Sequence, residues 1–266
     1  MTEEKEMSFW DHLEELRWAI LRSVVALVVF AMVGFYFMPY IFENIIMAPA
    51  SSDFFLYRYL CKISSYTSIL PDFCDSKFSV DIINIKLASQ FFRHVSSSFW
   101  FALILTCPYL FFELWRFISP ALFEHERKNA RWVFFFGSIM FFIGCLVGYR
   151  LIFPIIFRFL AEYQLSENIN NQISLDSYMD NFIPLIFIMG VIFELPLISW
   201  LLSQFGLLKR SFFKKYRRYA IIILLVIAAG ITPSGDPFTL AIVFLPLFLL
   251  YEMSRLFVKK DQLIDN

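Results

Sequence analysis

The chain has 266 residues, of which 59% are hydrophobic, 20% aromatic and 17% charged, and its 23 basic and 23 acidic side chains balance. Soluble domains are about 45–50% apolar and about 25% charged, so this composition excludes an ordinary soluble domain. Several uncharged stretches approach the roughly 20 apolar residues that cross a bilayer, which predicts an all-α membrane protein with several spans. The acidic N-terminus and the lack of a small-residue cleavage site predict that no signal peptide is removed.

Six candidate transmembrane segments follow one another along the chain. They are about residues 18–38, 98–118, 132–152, 182–203, 219–231 and 238–257. The fifth rises only about 20 Å against a hydrocarbon core of roughly 30 Å, so the last two helices are expected to form a short hairpin that thins the bilayer. The expected domains are a cytoplasmic amphipathic helix (1–17), a six-span domain (18–257) with an exoplasmic cap loop (39–97), and a cytoplasmic tail (258–266).

Basic residues near the ends of the spans predict the orientation in the membrane. The loop between the fourth and fifth spans carries six of them: Lys209, Arg210, Lys214, Lys215, Arg217 and Arg218. The turn Thr232–Pro237, at the other end of the fifth span, carries none. Because short cytoplasmic loops carry an excess of Lys and Arg, both termini are predicted to be cytoplasmic.

Glu194 is the only charged residue in the apolar run 181–203. Burying a carboxylate at that depth costs a few kcal/mol on insertion scales, so an acid inside a span is a candidate functional site. Pro196 lacks an N–H group and is expected to disturb the helix beside the acid. The alternative is a structural glutamate that snorkels to the interface or stays neutral between helices.

The segment before the first span combines an apolar helix face, formed by Phe9, Leu13 and Leu16, with an acidic one. Five carboxylates lie near the predicted cytoplasmic surface: Glu4, Glu6, Asp11, Glu14 and Glu15. Helices that lie on a membrane normally expose Lys and Arg, so this acidic face instead suits a cationic ligand. The alternative is a surface helix anchored by Trp10 and Trp18.

Two features of the loops leave alternatives open. Pro120 ends or kinks the second span, and Glu126 follows in a basic loop that is equally compatible with a solvated turn.

Cys61 and Cys74 lie in the long exoplasmic loop, where a disulfide is permitted, and the alternative is two free thiols. A bridge would close about fourteen residues and contribute about 3 kcal/mol in the chain-entropy model. Two cysteines alone do not predict a metal site.

Four segments occur in order on these spans: SFWDHLEELR from Ser8, PYLFFELWRFISPALFEHER from Pro108, FELP from Phe193 and ITPSGDPF from Ile231. Together they closely resemble the TatC family, the polytopic receptor subunits of the Sec-independent twin-arginine protein translocase. The resemblance covers roughly Ser8 to Phe257. It implies six helices in a curved cup with both termini inside, in the cytoplasmic (inner) membrane.

The resemblance also implies a function and the residues that carry it. The function is a receptor that binds the Arg-Arg signal peptides of folded cargo, associates with itself and with single-span partners of the TatA/TatB type, and exports cargo with the proton-motive force. The implied residues are Glu15, Glu126, Phe117, Leu122 and Arg17 for signal-peptide binding, Glu194 as an intramembrane polar site, Pro49 and Pro120 as structural prolines, and Thr232, Asp236 and Thr239 for partner docking. Leu240 stands where many members have Gln, so Thr232 or Thr239 is expected to replace its polar contact.

Two other classes of function compete with this interpretation. A secondary transporter or channel with a midplane acidic site is disfavoured, because transporters show paired repeats and this sequence shows none. An intramembrane enzyme is disfavoured, because no nucleophile–base pattern or metal-ligand spacing occurs in the spans. The sequence predicts no catalytic residue, cofactor, metal or nucleic-acid partner.

Overall fold

The computed structural model describes residues 9–64, 80–119, 124–166, 171–204, 206–232 and 235–258. These residues form ten α-helices: α1 (Phe9–Ile41), α2 (Phe55–Ser64), α3 (Ser89–Ile118), α4 (Glu124–Val147), α5 (Phe153–Glu162), α6 (Leu175–Ile192), α7 (Leu195–Gln204), α8 (Arg210–Lys215), α9 (Arg217–Ile231) and α10 (Pro237–Phe257). Two short strands, β1 (Ile82–Ile83) and β2 (Ile173–Ser174), pair in parallel. The described chain is thus mostly helical, as predicted, and its two short extended loop segments satisfy their backbone groups by pairing with each other.

Within the described part of the chain, five helical stretches are long and apolar enough to cross a membrane: Trp10–Ala50, Ser89–Ile118, Phe134–Glu162, Leu175–Gln204 and Pro237–Phe257. Helix α9 has 15 residues and rises about 22 Å, less than the hydrocarbon core. Helix α10 has 21 residues and rises about 32 Å, enough to cross it. The prediction of two short final helices is therefore wrong for the last one, whose helical pattern continues to Phe257 beyond its most apolar part.

Helix α1 runs for 33 residues from the predicted surface segment into the first span. No proline or glycine occurs between Phe9 and Val33, so nothing in the backbone ends the helix near residue 17. The chain then continues through a π-helical turn at Phe42–Ile46 and a 3₁₀ turn at Ala48–Ala50. This part of the predicted cap loop is built from short helical pieces, as the sequence indicates.

The described residues belong to two compact units. The first comprises residues within Met1–Met38 and Val95–Ile139, and the second comprises residues within Pro39–His94 and Met140–Asn266. In the first unit, α1 and α3 pack antiparallel. Their backbones approach closely at Gly34, where an added Cβ would lie 3.3 Å from the carbonyl oxygen of Ser98.

Aromatic rings form the core of the second unit where α5 meets α6. Phe153 packs edge-on against Phe182 with ring centroids 4.8 Å apart, and Phe157 packs edge-on against Tyr178 at 5.1 Å. The Tyr178 hydroxyl donates to the carbonyl oxygen of Ile46 at 2.5 Å, which fixes the π-helical turn after α1 to this core.

A second buried tyrosine fixes the short helical pieces that follow α1. The Tyr57 hydroxyl lies 2.9 Å from the carbonyl oxygen of Pro49 and 3.1 Å from that of Pro154. Burial raises the pKa of Tyr57 above its usual range, so the hydroxyl stays protonated and acts as a donor. Pro49 is itself buried. The Tyr57 hydroxyl on α2 gives its carbonyl a hydrogen-bond partner that water cannot supply there.

An ionic cluster joins the start of α3 to the start of α6 in the second unit. Arg93 donates to Asp176 at 2.8 Å and to both carboxylate oxygens of Asp180 at 2.5 and 2.9 Å. Ser89 and Lys86 also contact the Asp176 carboxylate. The paired strands β1 and β2 lie just before these two helices, so backbone and side-chain contacts act together there.

Candidate functional site

Glu15 lies on the part of α1 that packs against α3. About one turn before it, His12 stacks on Phe117 with ring centroids 4.2 Å apart and an interplanar angle of 17°. Two turns after it, Arg22 pairs with Glu113. The Oε2 atom of Glu15 is buried and has no hydrogen-bond partner among the described residues. A buried oxygen in this state carries a desolvation cost that an incoming donor would relieve.

Arg22 and Glu113 form a bidentate ion pair across α1 and α3. The Nε and Nη2 atoms of Arg22 lie 2.9 and 2.8 Å from the two carboxylate oxygens of Glu113. The Tyr109 hydroxyl donates to the same carboxylate at 2.8 Å. Glu113 is only 3% exposed. This arrangement is the strong, planar form of an arginine–carboxylate contact.

Arg22, Glu113 and Tyr109 are not among the site residues predicted from the sequence. A signal was present, because Arg22 lies inside the predicted first span and Glu113 inside the predicted second. Charged residues within spans usually pair with one another. Two opposite charges in neighbouring spans could therefore have been read as a pair.

The predicted signal-peptide residues are only partly described. Phe117 stacks on His12, which lies about one turn before Glu15, and Arg17 is exposed on α1. Leu122 and Pro120 fall outside the described residues. Glu126 is placed within α4, and its side chain is not among those described.

Glu194 lies in a break between α6 and α7. The backbone N–H of Glu194 bonds to the carbonyl oxygen of Val191 at 3.1 Å, and the regular α-helical pattern resumes at Leu195. Pro196 has no N–H to donate to the carbonyl four residues earlier, which explains the break. The predicted disturbance of the helix beside the acid is confirmed.

The Glu194 side chain is buried, with only 5% of its surface exposed. Neither carboxylate oxygen has a hydrogen-bond partner among the described residues. A Cβ on Gly144 would lie 2.8 Å from the Cβ of Phe193, so α4 packs directly against the break.

The tip of the hairpin between α9 and α10 is organised by a helix cap. The Oδ1 atom of Asp236 accepts from the backbone N–H groups of Phe238 and Thr239 at 3.0 and 2.9 Å. Its Oδ2 atom accepts from the Thr239 hydroxyl at 2.7 Å. Thr239 is fully buried, and Thr232 is 7% exposed. Asp236 and Thr239 therefore begin α10 in the way that N-cap residues do.

The cysteines divide into two kinds. Cys61 on α2 is disulfide-bonded, whereas Cys107 and Cys145 are buried thiols outside any disulfide. Cys74, the predicted partner of Cys61, lies outside the described residues, so that pairing stays a prediction. Among the residues described, no group of three His, Cys, Asp or Glu side chains could hold a metal ion.

Long apolar helices, buried charges between them and exposed apolar side chains such as Val25 and Met32 define a multi-pass helical membrane protein. A family model described as "Sec-independent protein translocase protein (TatC)" matches residues 11–246. The chain therefore belongs to the TatC family, whose members are components of a protein-transport system.

Relatives and solved structures agree with this assignment. The chain is 34% identical over 253 residues to the Sec-independent protein translocase protein TatC of Blattabacterium sp. subsp. Periplaneta americana, covering 95% of both chains. It is 32% identical to the protein of the same name from Helicobacter pylori, covering 93% of this chain and 86% of that one. A crystal structure of the "Twin Arginine Translocase Receptor- TatC" matches with a TM-score of 0.72 at 27% identity, covering 92% of this chain and 97% of that chain. A second, in DDM, gives a TM-score of 0.75 at 26% identity, covering 93% and 99%.

Proposed function

We propose that this protein is the receptor subunit of a twin-arginine translocase and that it binds Arg-Arg signal peptides of folded cargo. The observation that carries the proposal is Glu15, whose buried Oε2 atom has no hydrogen-bond partner among the described residues. A guanidinium group offers a planar fork of donors that matches a carboxylate, which an ammonium group cannot reproduce. Two ligand arginines need about two carboxylates, and Glu126 is the proposed second one.

Residues near Glu15 are proposed to contribute contacts to the ligand in addition to the carboxylate. His12, one helical turn before Glu15, stacks on Phe117, and Leu122 is proposed to add apolar contact. Exposed ion pairs contribute only about 0–1 kcal/mol, so the apolar part of the signal peptide must supply much of the affinity. Arg17, which is exposed on the same helix, is proposed to complete the binding face.

Glu194 is proposed as a polar point inside the membrane that receives a polar group of a signal peptide or partner helix. Its burial and the absence of a partner among described residues support this role. The helix break just before Pro196 supports it further, because the proline leaves a backbone carbonyl near the carboxyl group without its usual helical donor.

We propose that single-span partners of the TatA/TatB type dock at the hairpin tip, where Asp236 and Thr239 hold the start of α10 and Thr232 ends α9.

The proposed topology has six spans forming a cup, with both termini on the cytoplasmic side of the inner membrane. The basic residues around α8 support this orientation, because Lys209, Lys214 and Lys215 lie exposed between α7 and α9. The short α9 is proposed as the fifth span, in a locally thinned bilayer. Residues 1–17 are proposed to face the cytoplasm, and the proton-motive force is proposed to drive export through a complex in which this subunit associates with itself.

Site-directed cross-linking tests the proposal. A photoreactive residue at position 15 or 126 is expected to capture an Arg-Arg signal peptide and to lose it when the peptide carries Lys-Lys. Position 162 serves as the control, since Glu162 lies at the end of α5 with a half-exposed side chain and is expected to capture neither peptide. Equal capture of both peptides at position 15 would overturn the proposed recognition chemistry.

A further inference from the structure

Glu15 and Arg22 lie on the same face of α1. They are seven residues apart, which is close to two helical turns, so their side chains point in similar directions. Helical side chains also lean towards the N-terminus, which directs the long Arg22 side chain towards Glu15. The Arg22 guanidinium is held by Glu113 on α3, through its Nε and Nη2 atoms. One internal arginine thus pairs with Glu113 and lies two helical turns from Glu15 on the same helix face.

We propose that Glu113 is a positioning residue for twin-arginine recognition. By holding the Arg22 guanidinium, it prevents an internal arginine from occupying Glu15, the carboxylate that the ligand needs. This inference rests on the proposed function of Glu15. It assigns the Arg22–Glu113 pair a role in keeping the binding site vacant, beyond joining two helices.

The geometry supports a role as a holder of the guanidinium. Both the Nε and the Nη2 atoms of Arg22 are used by Glu113, so the fork has no free pair of donors on that edge. Tyr109 fixes the Glu113 carboxylate from its other side. The Arg22 side chain is 32% exposed, whereas that of Glu113 is 4% exposed. Arg22 is therefore the partner that would move if the pair were broken.

The competition is between identical chemical groups. An internal guanidinium tethered two turns away has an effective concentration in the millimolar range, which a dilute peptide cannot match. If Glu113 lost its charge, Arg22 would turn towards Glu15 and satisfy its buried oxygen. The signal peptide would then have to displace an intramolecular ion pair before it could bind.

Four proteins separate this role from a purely structural one. The affinity of a synthetic Arg-Arg signal peptide is measured for the wild-type full-length protein in detergent, Glu113→Gln, Arg22→Gln and the double variant. Glu113→Gln is expected to weaken binding about tenfold, the effect of one lost charged hydrogen bond. Arg22→Gln and the double variant are expected to bind within about twofold of wild type, because the competing guanidinium is gone.

Two controls keep the test decisive. The Arg58–Asp53 pair is highly exposed and joins the segment before α2 to α2 itself, so Asp53→Asn and Asp53→Asn/Arg58→Gln are expected to leave the affinity unchanged. If Glu113→Gln does not fold, Tyr109→Phe provides a milder loosening of the carboxylate and is expected to weaken binding in the same direction.

The outcomes distinguish the two claims. If wild type prefers Arg-Arg over Lys-Lys peptide but the double variant stays as weak as Glu113→Gln, the role of Glu113 is overturned while the proposed function stands. Loss of binding in Arg22→Gln alone would likewise show that the pair acts only as a structural link. If wild type binds both peptides equally, the proposed function and this inference are both overturned.

Discussion

Gly190 of α6 lies so close to Cys145 of α4 that an added Cβ would be 2.6 Å from the Cys145 Sγ atom. The same Cβ would lie 2.8 Å from the ring of Phe141. On the facing helix, a Cβ on Gly144 would lie 2.7 Å from the carbonyl oxygen of Met189. Small residues let two helix backbones approach closely, and here they do so next to the break that holds Glu194.

Gly190→Ala is therefore expected to lower the free energy of unfolding by about 1–3 kcal/mol, the usual cost of overpacking. The measurement is thermal or denaturant unfolding of the detergent-solubilised protein. Gly230→Ala is the matched control, because Gly230 is in α9 and nothing lies within 4 Å of its added Cβ. That control is expected to be neutral or to stabilise by roughly 0.5–1 kcal/mol. Equal destabilisation by both would contradict the close helix contact.

Tyr57→Phe is expected to lower the free energy of unfolding by about 1–3 kcal/mol, because it removes the one hydroxyl hydrogen that two buried carbonyl groups share. The carbonyls are those of Pro49 and Pro154, both of which the hydroxyl reaches. Tyr59→Phe, also on α2, is the control and is expected to have little effect since Tyr59 is 54% exposed. The same unfolding measurement compares the two, and an unchanged midpoint for Tyr57→Phe would refute the anchoring role.

Asp176→Asn is expected to lower the unfolding temperature more than Asp180→Asn does. Asp176 accepts from Ser89 and Arg93 and pairs with Lys86, and its side chain is 18% exposed. Within this ionic cluster of described residues, Asp180 pairs with Arg93 alone and its side chain is 64% exposed, so water competes for it. Protease resistance of the segment before α3 gives a second readout. A larger effect for Asp180→Asn would reverse this ranking.

Some features were predictable from the sequence because their cause is local. The break at Glu194 follows from Pro196 two residues later, and the short α9 follows from its apolar length. Arg22 and Glu113 are 91 residues apart in the sequence, and their pairing depends on how α1 and α3 align. No local sequence pattern specifies that alignment. The pairing of Ile82 with Ile173 has the same origin, since two-residue strands carry no periodic signal.

The hairpin tip shows the same limit for a single residue. The sequence offered Thr239 as a replacement for a missing polar contact to a partner. Its hydroxyl instead donates to Asp236 within the chain, and its side chain is fully buried. Partner docking at this tip stays a prediction. In it, Thr239 contributes by holding the Asp236 carboxylate at the start of α10.

Glu194→Ala is expected to slow the export of folded cargo in cells severalfold while leaving signal-peptide affinity largely intact, because the arginine pair is proposed to bind at Glu15 and Glu126 and not at Glu194. The variant removes the carboxyl group that the proposed intramembrane role requires. Glu194→Gln keeps a polar group, so its export rate is expected to lie between those of wild type and Glu194→Ala. Ser199→Ala is the control, since Ser199 is buried on α7 and has no proposed role. Export at the wild-type rate by Glu194→Ala would remove the functional interpretation of this acid.

The ratio of affinities for Lys-Lys and Arg-Arg signal peptides tests the central claim most directly. In wild type the Lys-Lys peptide is expected to bind at least about tenfold more weakly, because an ammonium group cannot reproduce the guanidinium fork. In Glu15→Gln the two affinities are expected to converge, whereas Glu14→Gln, next to it and exposed, is expected to keep the wild-type ratio. A ratio near one in wild type, or an unchanged ratio in Glu15→Gln, would contradict the account.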